Sequence, residues 1–193
     1  MKDGIQIRPI RTFDDREIEG LSDVLIDCVE GGASVNFMLP MTRAKAEAFW
    51  RGMSETVERG ERVVLAAEDE KRAIVGTVQI VLKQPENQPH RGDLAKMLVH
   101  RRVRKRGVGA ALLMAAERSA LGAGKTLLVL DTASDDAERL YARQGWQRFG
   151  QVPDYALWPD GGPCSTTVLY RELAGGAPAA EPRAAADRGL TSG

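Results

Sequence analysis

The residues that first suggest chemistry form a basic, glycine-containing run, Arg104-Lys105-Arg106-Gly107-Val108-Gly109. This run lies between the apolar segment 97–99 and a segment with helical spacing that opens at Ala110. A strand, a turn with two glycines and a helix point several backbone N–H groups at one place, and the helix dipole favours an anion there. Gly107 and Gly109 carry no side chains that would block its approach. The run therefore predicts a phosphate site.

A carboxylate and a phenol on successive elements could transfer protons beside that site. Asp131 ends the apolar run 127–130, where a carboxylate is costly unless it has a partner or a function, and burial there would strengthen it as a base. Asp131 could instead cap the helix that follows, a role that aspartate often has. Tyr141 lies on one face of that helix, either as a proton donor or as a core aromatic residue. The sequence alone does not decide between these two roles for Asp131 or between the two for Tyr141.

Composition narrows the class of protein. With 193 residues, 43% of them hydrophobic, the chain can bury one good core, so a single domain over residues 1–173 is expected. The formal net charge of zero gives no basic field for nucleic acid or an anionic membrane. Two cysteines and two histidines without partner spacing predict no metal site and no disulfide framework. We expect a soluble, cytoplasmic protein with a disordered tail over residues 174–193.

The elements that must position these residues follow from hydrophobic periodicity and turn signals. They predict a mixed α/β (α+β) fold in the order β-α-α-β-β-β-α-β-α-β-β, a mixed sheet flanked by helices. Trp50 is expected in the core. The expected strands are 5–8, 63–67, 74–82, 93–99, 125–131, 146–151 and 166–173, and the expected helices are 14–29, 42–58, 107–121 and one from 135 or 136 to before 145.

The Arg104-x-x-Gly107-x-Gly109 loop after a strand, within this order of elements, resembles the GNAT superfamily of acetyl-CoA-dependent N-acetyltransferases. The resemblance covers about residues 5–173 and implies the GNAT fold. The stretches 31–38, 130–141 and 153–161 resemble members that inactivate a β-lactam amino-acid toxin. Asn36 stands where that likeness implies a further glycine.

The resemblance implies that this loop and its arginine hold the pyrophosphate of acetyl-CoA. A backbone N–H near Leu98 or Val99 is expected to stabilise the oxyanion of acyl transfer, where family members splay the strands apart. Tyr141 is expected to contact the donor as well. The predicted donor-binding residues are Met97, Leu98, Val99, Arg104, Lys105, Arg106, Gly107, Val108, Gly109, Ala110 and Tyr141.

Acyl transfer to an amine also needs a proton acceptor and a proton donor. Asp131 is the predicted general base, and the resemblance adds Asp93 as a second carboxylate on the neighbouring strand. Both are expected to contact the acceptor. Tyr141 is the predicted acid for the departing thiolate. Phe37 and Tyr155 lie on irregular segments, where binding residues are common, and are predicted to line the acceptor pocket.

Together these residues predict an acetyl-CoA-dependent N-acetyltransferase that acts on a small-molecule amine, with a β-lactam or amino-acid-like toxin as the specific expectation. Acetylation of a protein N-terminus or a polyamine is the enzymatic alternative. A non-catalytic module that binds acyl-CoA is the alternative from another class. No metal, nucleic acid or membrane partner is expected, and the chain is expected to be a monomer or homodimer.

Overall fold

The protein has a seven-stranded sheet with helices on both faces, and the structure, a computed structural model, describes residues 4–173. The segment predicted to be a disordered tail, residues 174–193, lies outside the described residues. The predicted order of elements is confirmed, with one additional short helix. The elements are β1 (Gln6–Ile10), α1 (Asp15–Glu30), α2 (Arg43–Arg51), α3 (Ser54–Glu58), β2 (Arg62–Glu68), β3 (Ile74–Val81), β4 (Arg91–Val99), a 3-10 turn (Arg101–Val103), α4 (Val108–Gly122), β5 (Leu127–Thr132), α5 (Asp135–Arg143), β6 (Gln147–Leu157) and β7 (Pro163–Glu172).

The sheet opens between β4 and β5. Its strand order is β1-β2-β3-β4-β5-β7-β6, and every neighbouring pair is antiparallel except β4 and β5. These two strands pair from Arg91–Leu127 to Asp93–Val129. Beyond Asp93, β4 continues to pair with β3, while β5 continues to pair with β7. The two parallel strands therefore separate and leave a slot in the middle of the sheet.

The second predicted helix is two helices. Residues 42–58 were expected to form one helix, but α2 ends at Arg51 and α3 begins at Ser54. Gly52 ends α2, since a glycine in a helix interior costs about 1 kcal/mol relative to alanine and permits a change of direction. Trp50, expected in the core, is fully buried at the end of α2.

The predicted loop between the last two strands is also wrong. Residues 153–157 belong to β6, and β7 begins at Pro163 rather than near residue 166. Between Val152 and Ala156 the register shifts, and Asp154 takes a positive φ of 51°. Because β6 is the outer strand of the sheet, no further strand needs a hydrogen bond from Pro153, which has no N–H group to donate. The extra residues of β6 form a bulge.

The two faces of the sheet are covered by different helices. On one face α4 packs against β3, β4 and β2, with Leu112, Leu113 and Ala116 fully buried. On the other face α1 packs against α2, β3 and β4, with Leu21 and Leu25 fully buried. Each such leucine contributes roughly 1.5–3 kcal/mol through burial. Within residues 4–173, no helix is both long and apolar enough to cross a lipid bilayer.

Candidate active site

The glycine-containing run forms the turn into α4, as the sequence predicts. Gly107 is the residue before the helix, has φ of 84° and provides no side-chain cap. The first helical hydrogen bond runs from the Ala111 N–H to the Gly107 carbonyl oxygen, 3.0 Å, so the N–H groups of Val108, Gly109 and Ala110 have no acceptor within the helix. The first turn of α4 contains no acidic residue. These amides are therefore open to an anion.

Gly109 has a second role, which its sequence position did not reveal. A Cβ atom there would lie 3.0 Å from Leu140 Cδ2 and 3.8 Å from Val99 Cγ2. Leu140 belongs to α5 and directly precedes Tyr141. The missing side chain therefore lets α4 approach α5. At Gly107, by contrast, an added Cβ would meet nothing within 4 Å.

The basic residues before the turn are held against α1 and β4. The Nε group of Arg104 donates to the Val99 carbonyl oxygen at 3.1 Å. Asp27, near the end of α1, accepts from the backbone N–H of Arg101 at 2.8 Å and from its Nε group at 2.9 Å. Burial raises the pKa of Asp27, but these hydrogen bonds from Arg101 outweigh it, and the net pKa is lowered. The segment that leads into the glycine-containing turn is thus held in place by the ion pair between Asp27 and Arg101.

A β-bulge lies in β4 beside the slot. Thr77 pairs with Leu98 and Gln79 with Ala95, so Lys96 and the residue after it stand opposite a single residue of β3. Lys96 has a positive φ of 49°, which is strained for a residue with a side chain. Leu98 is buried, and Met97 and Val99 pack against the core on the α4 face. The predicted donor-contacting strand therefore borders the slot with irregular backbone.

Asp131 lies at the end of β5, but its expected burial is wrong. The side chain is exposed, and Thr166 Oγ1 donates to its Oδ2 atom at 3.0 Å. Beyond Asp93, β4 no longer covers this part of β5, which is why the end of an apolar strand reaches solvent. The alternative that Asp131 caps the next helix is also wrong, because Ser134 caps α5 by accepting from Ala137 N.

Tyr141 lies in the core with α4, close enough to Asp131 for the charge of Asp131 to act on it. Its side chain is 3% exposed, and its ring lies 5.6 Å from that of Trp146, centroid to centroid. Burial raises the pKa of Tyr141 well above its ordinary value, and the negative charge of Asp131 raises it further. The phenol therefore stays protonated at neutral pH. Core packing and proton donation, the two alternatives for this residue, are compatible in this position.

Asp93 is already paired. Its carboxylate forms an ion pair with Arg91 and accepts from Gln84 Nε2 at 3.0 Å. Asp93 lies opposite Val129, two residues before Asp131, so strand alternation places both aspartates on the same face of the sheet. The two carboxylates lie on the same face but have different partners: Asp131 accepts from the Thr166 hydroxyl group, and Asp93 pairs with the Arg91 guanidinium.

The loop between α1 and α2 bridges this face to the β6–β7 hairpin. Ser34 Oγ donates to the Leu157 carbonyl oxygen at 3.1 Å, and the Leu39 N–H donates to the Pro159 carbonyl oxygen at 2.9 Å. Asn36, where the resemblance implied a glycine, has φ of 73°, a conformation that asparagine tolerates better than most residues. The bridge closes one side of the site.

The two predicted aromatic pocket residues lie on different elements. Phe37 meets Phe49 edge-on with ring centroids 5.1 Å apart, on the face of the sheet that α1 and α2 cover. Tyr155 lies in the outer strand β6 and is 58% exposed. Because β7 lies between β5 and β6, Tyr155 is two strands away from Asp131. The structure thus packs Phe37 against Phe49 and leaves Tyr155 exposed on the outer strand of the sheet.

Sequence reasoning missed Lys96. Its Nζ atom lies 5.9 Å from the centroid of the Phe49 ring, and it is close enough to Asp131 for the two charges to interact. A lysine inside an otherwise apolar strand, Leu94 to Val99, was the signal that could have identified it. Among residues 4–173, no group of three or more His, Cys, Asp or Glu side chains could hold a metal ion.

Comparison with known proteins agrees with this geometry. Residues 35–146 match the acetyltransferase (GNAT) family. The fold is similar to that of ribosomal-protein-alanine N-acetyltransferase from Brucella melitensis, with 21% identity, a TM-score of 0.71 and coverage of 87% of this chain and 99% of that one. A GCN5-related N-acetyltransferase from Kribbella flavida shares 20% identity, with a TM-score of 0.72 and coverage of 88% and 98%.

The fold is also similar to that of phosphinothricin acetyltransferase from Sinorhizobium meliloti in complex with acetyl-CoA, at 16% identity, a TM-score of 0.72 and coverage of 88% of each chain. At these identities the structural matches establish the fold, and the family match, which covers more than half of the chain, establishes the family. The open amides at the start of α4 and the separated strands beside them agree with both. The chain belongs to the GNAT family and is an acetyltransferase.

Proposed function

We propose that the acetyl acceptor is the amino group of a small molecule, an amino-acid-like compound or a β-lactam related to one. The observation that carries the proposal is the convergence of Asp131 and Tyr141 at the slot between β4 and β5, next to the start of α4. An anion-binding turn, a carboxylate and a protonated phenol are the groups that direct acyl transfer to an amine requires.

The donor-binding residues fit the group that they would hold. Acetyl-CoA supplies a pyrophosphate for the loop and an acetyl thioester for the reaction. The open N–H groups of Val108, Gly109 and Ala110 suit the pyrophosphate, and the basic side chains of Lys105 and Arg106 add positive charge at the exposed loop. The bulged strand, Met97 to Val99, borders the slot and is the source of the proposed oxyanion N–H.

Asp131 is the proposed base. An amine with a pKa near that of lysine is mostly protonated at neutral pH, so its proton must leave before nitrogen can attack the acetyl carbonyl carbon. Asp131 is exposed towards the slot and is oriented by Thr166, so it can bind the ammonium group and accept its proton directly or through a water. Asp93, already paired with Arg91, is proposed to support acceptor binding as the second carboxylate.

Tyr141 is the proposed acid. When the bond from acetyl carbon to sulfur breaks, the thiolate needs a proton, and the phenol can supply or share it. Burial keeps Tyr141 protonated, and the nearby charge of Asp131 acts in the same direction. Before the reaction, the charge of Asp131 helps keep the proton on Tyr141. Once Asp131 has accepted the proton of the amine, that charge is gone, so Tyr141 can pass its proton more readily to the departing sulfur.

The bridge between the α1–α2 loop and the β6–β7 hairpin favours a small acceptor. Two hydrogen bonds, from Ser34 to Leu157 and from Leu39 to Pro159, tie segments from distant parts of the chain across this side of the site. Phe37 and Phe49 add an apolar wall beside it, and Tyr155 is a proposed contact at the rim. An extended polypeptide or polyamine would need an open groove along this edge.

The test is release of free thiol from acetyl-CoA in the presence of a panel of amines. The panel contains amino acids, phosphinothricin, a β-lactam amino acid, spermidine and a short peptide with a free N-terminus. We expect release with members of the first three groups. Release with the peptide or spermidine alone would contradict the proposed acceptor class, and release with no member would contradict the proposed small-molecule activity.

The Asp131→Asn variant tests the proposed base. It keeps the shape of the side chain and its contact with Thr166 but cannot accept a proton, so kcat/KM for the best amine should fall by about 100-fold or more. Asp15→Asn is the matched control, because it removes the same charge from a fully exposed position at the start of α1. Equal effects of the two substitutions would exclude Asp131 as the base.

A further inference from the structure

Lys96 brings an uncompensated positive charge to the acceptor face. Its side chain is half-buried, yet among residues 4–173 no carboxylate lies within ion-pair distance of its Nζ atom, and the ammonium group lies over the Phe49 ring. The strained backbone at the bulge holds it there. A half-buried lysine ordinarily acquires a partner, because removing its charge from water is costly.

Two more donors without acceptors belong to residues near Lys96, since the charge of Arg62 acts on Lys96 and Gln79 pairs with the residue before it. Arg62 Nη1 donates to Gln79 Oε1 at 2.5 Å, which leaves Arg62 Nε and Gln79 Nε2 buried without a hydrogen-bond partner. Gln79 is 1% exposed and pairs across the sheet with Ala95, the residue before Lys96. Unmade hydrogen bonds of buried groups are costly, so three adjacent donors without acceptors indicate a place for an anion.

Among the charged groups around Lys96 that the structure relates to one another, cations are in excess. Asp93 is paired with Arg91, and Asp131 is the one carboxylate whose charge acts on Lys96, which is also near Arg62. Burial lowers the pKa of Lys96, Asp131 acts in the opposite direction, and Arg62 lowers it further. A bound anion would relieve the repulsion between the two cations and restore a balanced face.

We propose that Lys96, supported by Arg62 and Gln79, binds the anionic group of the acceptor while Asp131 binds its amino group. The positive and negative charges are close enough to interact but do not form an ion pair with each other, an arrangement that complements a zwitterion. The acceptor is therefore an amine with a carboxylate or a similar anion a few bonds away. This inference rests on the proposed function, since it concerns the same acceptor site.

Two other roles for Lys96 make different predictions. As a proton acceptor it would need to lose its proton, and arginine could not replace it, because arginine stays charged in proteins. As a purely structural residue it would affect all acceptors equally. As an anion anchor it should discriminate between acceptors by charge, and arginine should preserve that discrimination.

The experiment compares each amino acid that is acetylated with its own carboxamide, which has the same amine and side chain but no negative charge. For the wild-type protein, kcat/KM for the acid should exceed that for the amide by about 10- to 100-fold, as charge-assisted hydrogen bonds predict. In Lys96→Met that ratio should fall to within about threefold of unity, through a higher KM for the acid. In Lys96→Arg it should stay above about tenfold.

Each remaining outcome counts against the inference. A wild-type ratio near unity, or an equal loss for acid and amide in Lys96→Met with an unchanged melting temperature, would overturn it. So would a loss of kcat in Lys96→Arg as large as in Lys96→Met, since that points to proton transfer. If amides and plain amines are acetylated without discrimination, the proposed function stands and the anion site fails. If no amine is acetylated, both fail.

Discussion

Substituting Ala110 by glutamate should weaken acetyl-CoA binding without weakening the fold. Ala110 is the third residue of α4, and its N–H is one of the three that lack an acceptor in the helix. A glutamate there can reach back to the open amides before it, as in a capping box. The new carboxylate would occupy the place that we assign to the donor's pyrophosphate, so the substitution tests that assignment directly.

The magnitude follows from the charges involved. Two unit charges about 5 Å apart interact by roughly 3 kcal/mol at the effective dielectric constant of about 20 that suits a protein surface. Solvent at the exposed loop reduces this to about 2 kcal/mol, which corresponds to roughly 30-fold in Kd because each tenfold change is about 1.4 kcal/mol. The same carboxylate stabilises the start of α4 by about 0.3–1 kcal/mol, so the melting temperature should not fall.

Isothermal titration with acetyl-CoA measures the effect, and Ala110→Gln is the matched control with the same length and no charge. We expect Ala110→Gln to bind within about threefold of the wild type. The difference between the two variants should shrink towards 1 M salt, where the Debye length is about 3 Å. If Ala110→Glu, correctly folded, binds as tightly as Ala110→Gln, the phosphate does not lie at the start of α4.

Three further outcomes are expected. Tyr141→Phe should lower kcat by about 100-fold with little change in acetyl-CoA affinity, measured by steady-state kinetics and titration, and an unchanged kcat would assign the ring to the core alone. Arg8→Met should lower the free energy of unfolding by about 2–3 kcal/mol at pH 7, because Arg8 bonds the buried carboxylates of Glu17 and Glu68. Since Arg8 lowers the pKa of Glu68, its contribution is full above about pH 4.5 and is lost at lower pH, so urea titrations should show the two proteins converging in acid, and a constant difference would refute this linkage. Both cysteines are buried, and burial raises the pKa of Cys28, so a thiol reagent should detect about two thiols only after denaturation; rapid labelling of the native protein would contradict this packing.

The order of elements could be read from the sequence because local signals and tertiary structure agree in most of the chain. Asp14 and Thr42, for example, cap α1 and α2 as their types and positions suggest. The turn into α4 was predictable for the same reason, since Gly107 acts through backbone conformation. The break after Arg51 was missed because the apolar periodicity continues across Gly52.

The exposure of Asp131 and the position of Lys96 could not be predicted, because both depend on strand pairing. An apolar strand next to another normally buries its end, and only the divergence of β5 from β4 leaves Asp131 exposed. The bulge at Lys96, whose Nζ atom lies over the Phe49 ring, is an extra residue in the register with β3, which no local pattern encodes. The ion pair between Asp93 and Arg91, which distinguishes Asp93 from Asp131, likewise could be seen only in the three-dimensional structure.

The bridge from Ser34 and Leu39 to the β6–β7 hairpin bears on how such an enzyme can change its substrate during evolution. Apart from Tyr141, the proposed donor residues lie within one segment, 97–110, which runs from β4 into α4. The bridge instead joins the α1–α2 loop to the β6–β7 hairpin, two parts of the chain that are distant in sequence. Surface connections tolerate substitution and insertion better than packed elements do. Under the proposed assignment, substitutions in either half of the bridge would change the amine that is acetylated and leave the proposed donor residues as they are.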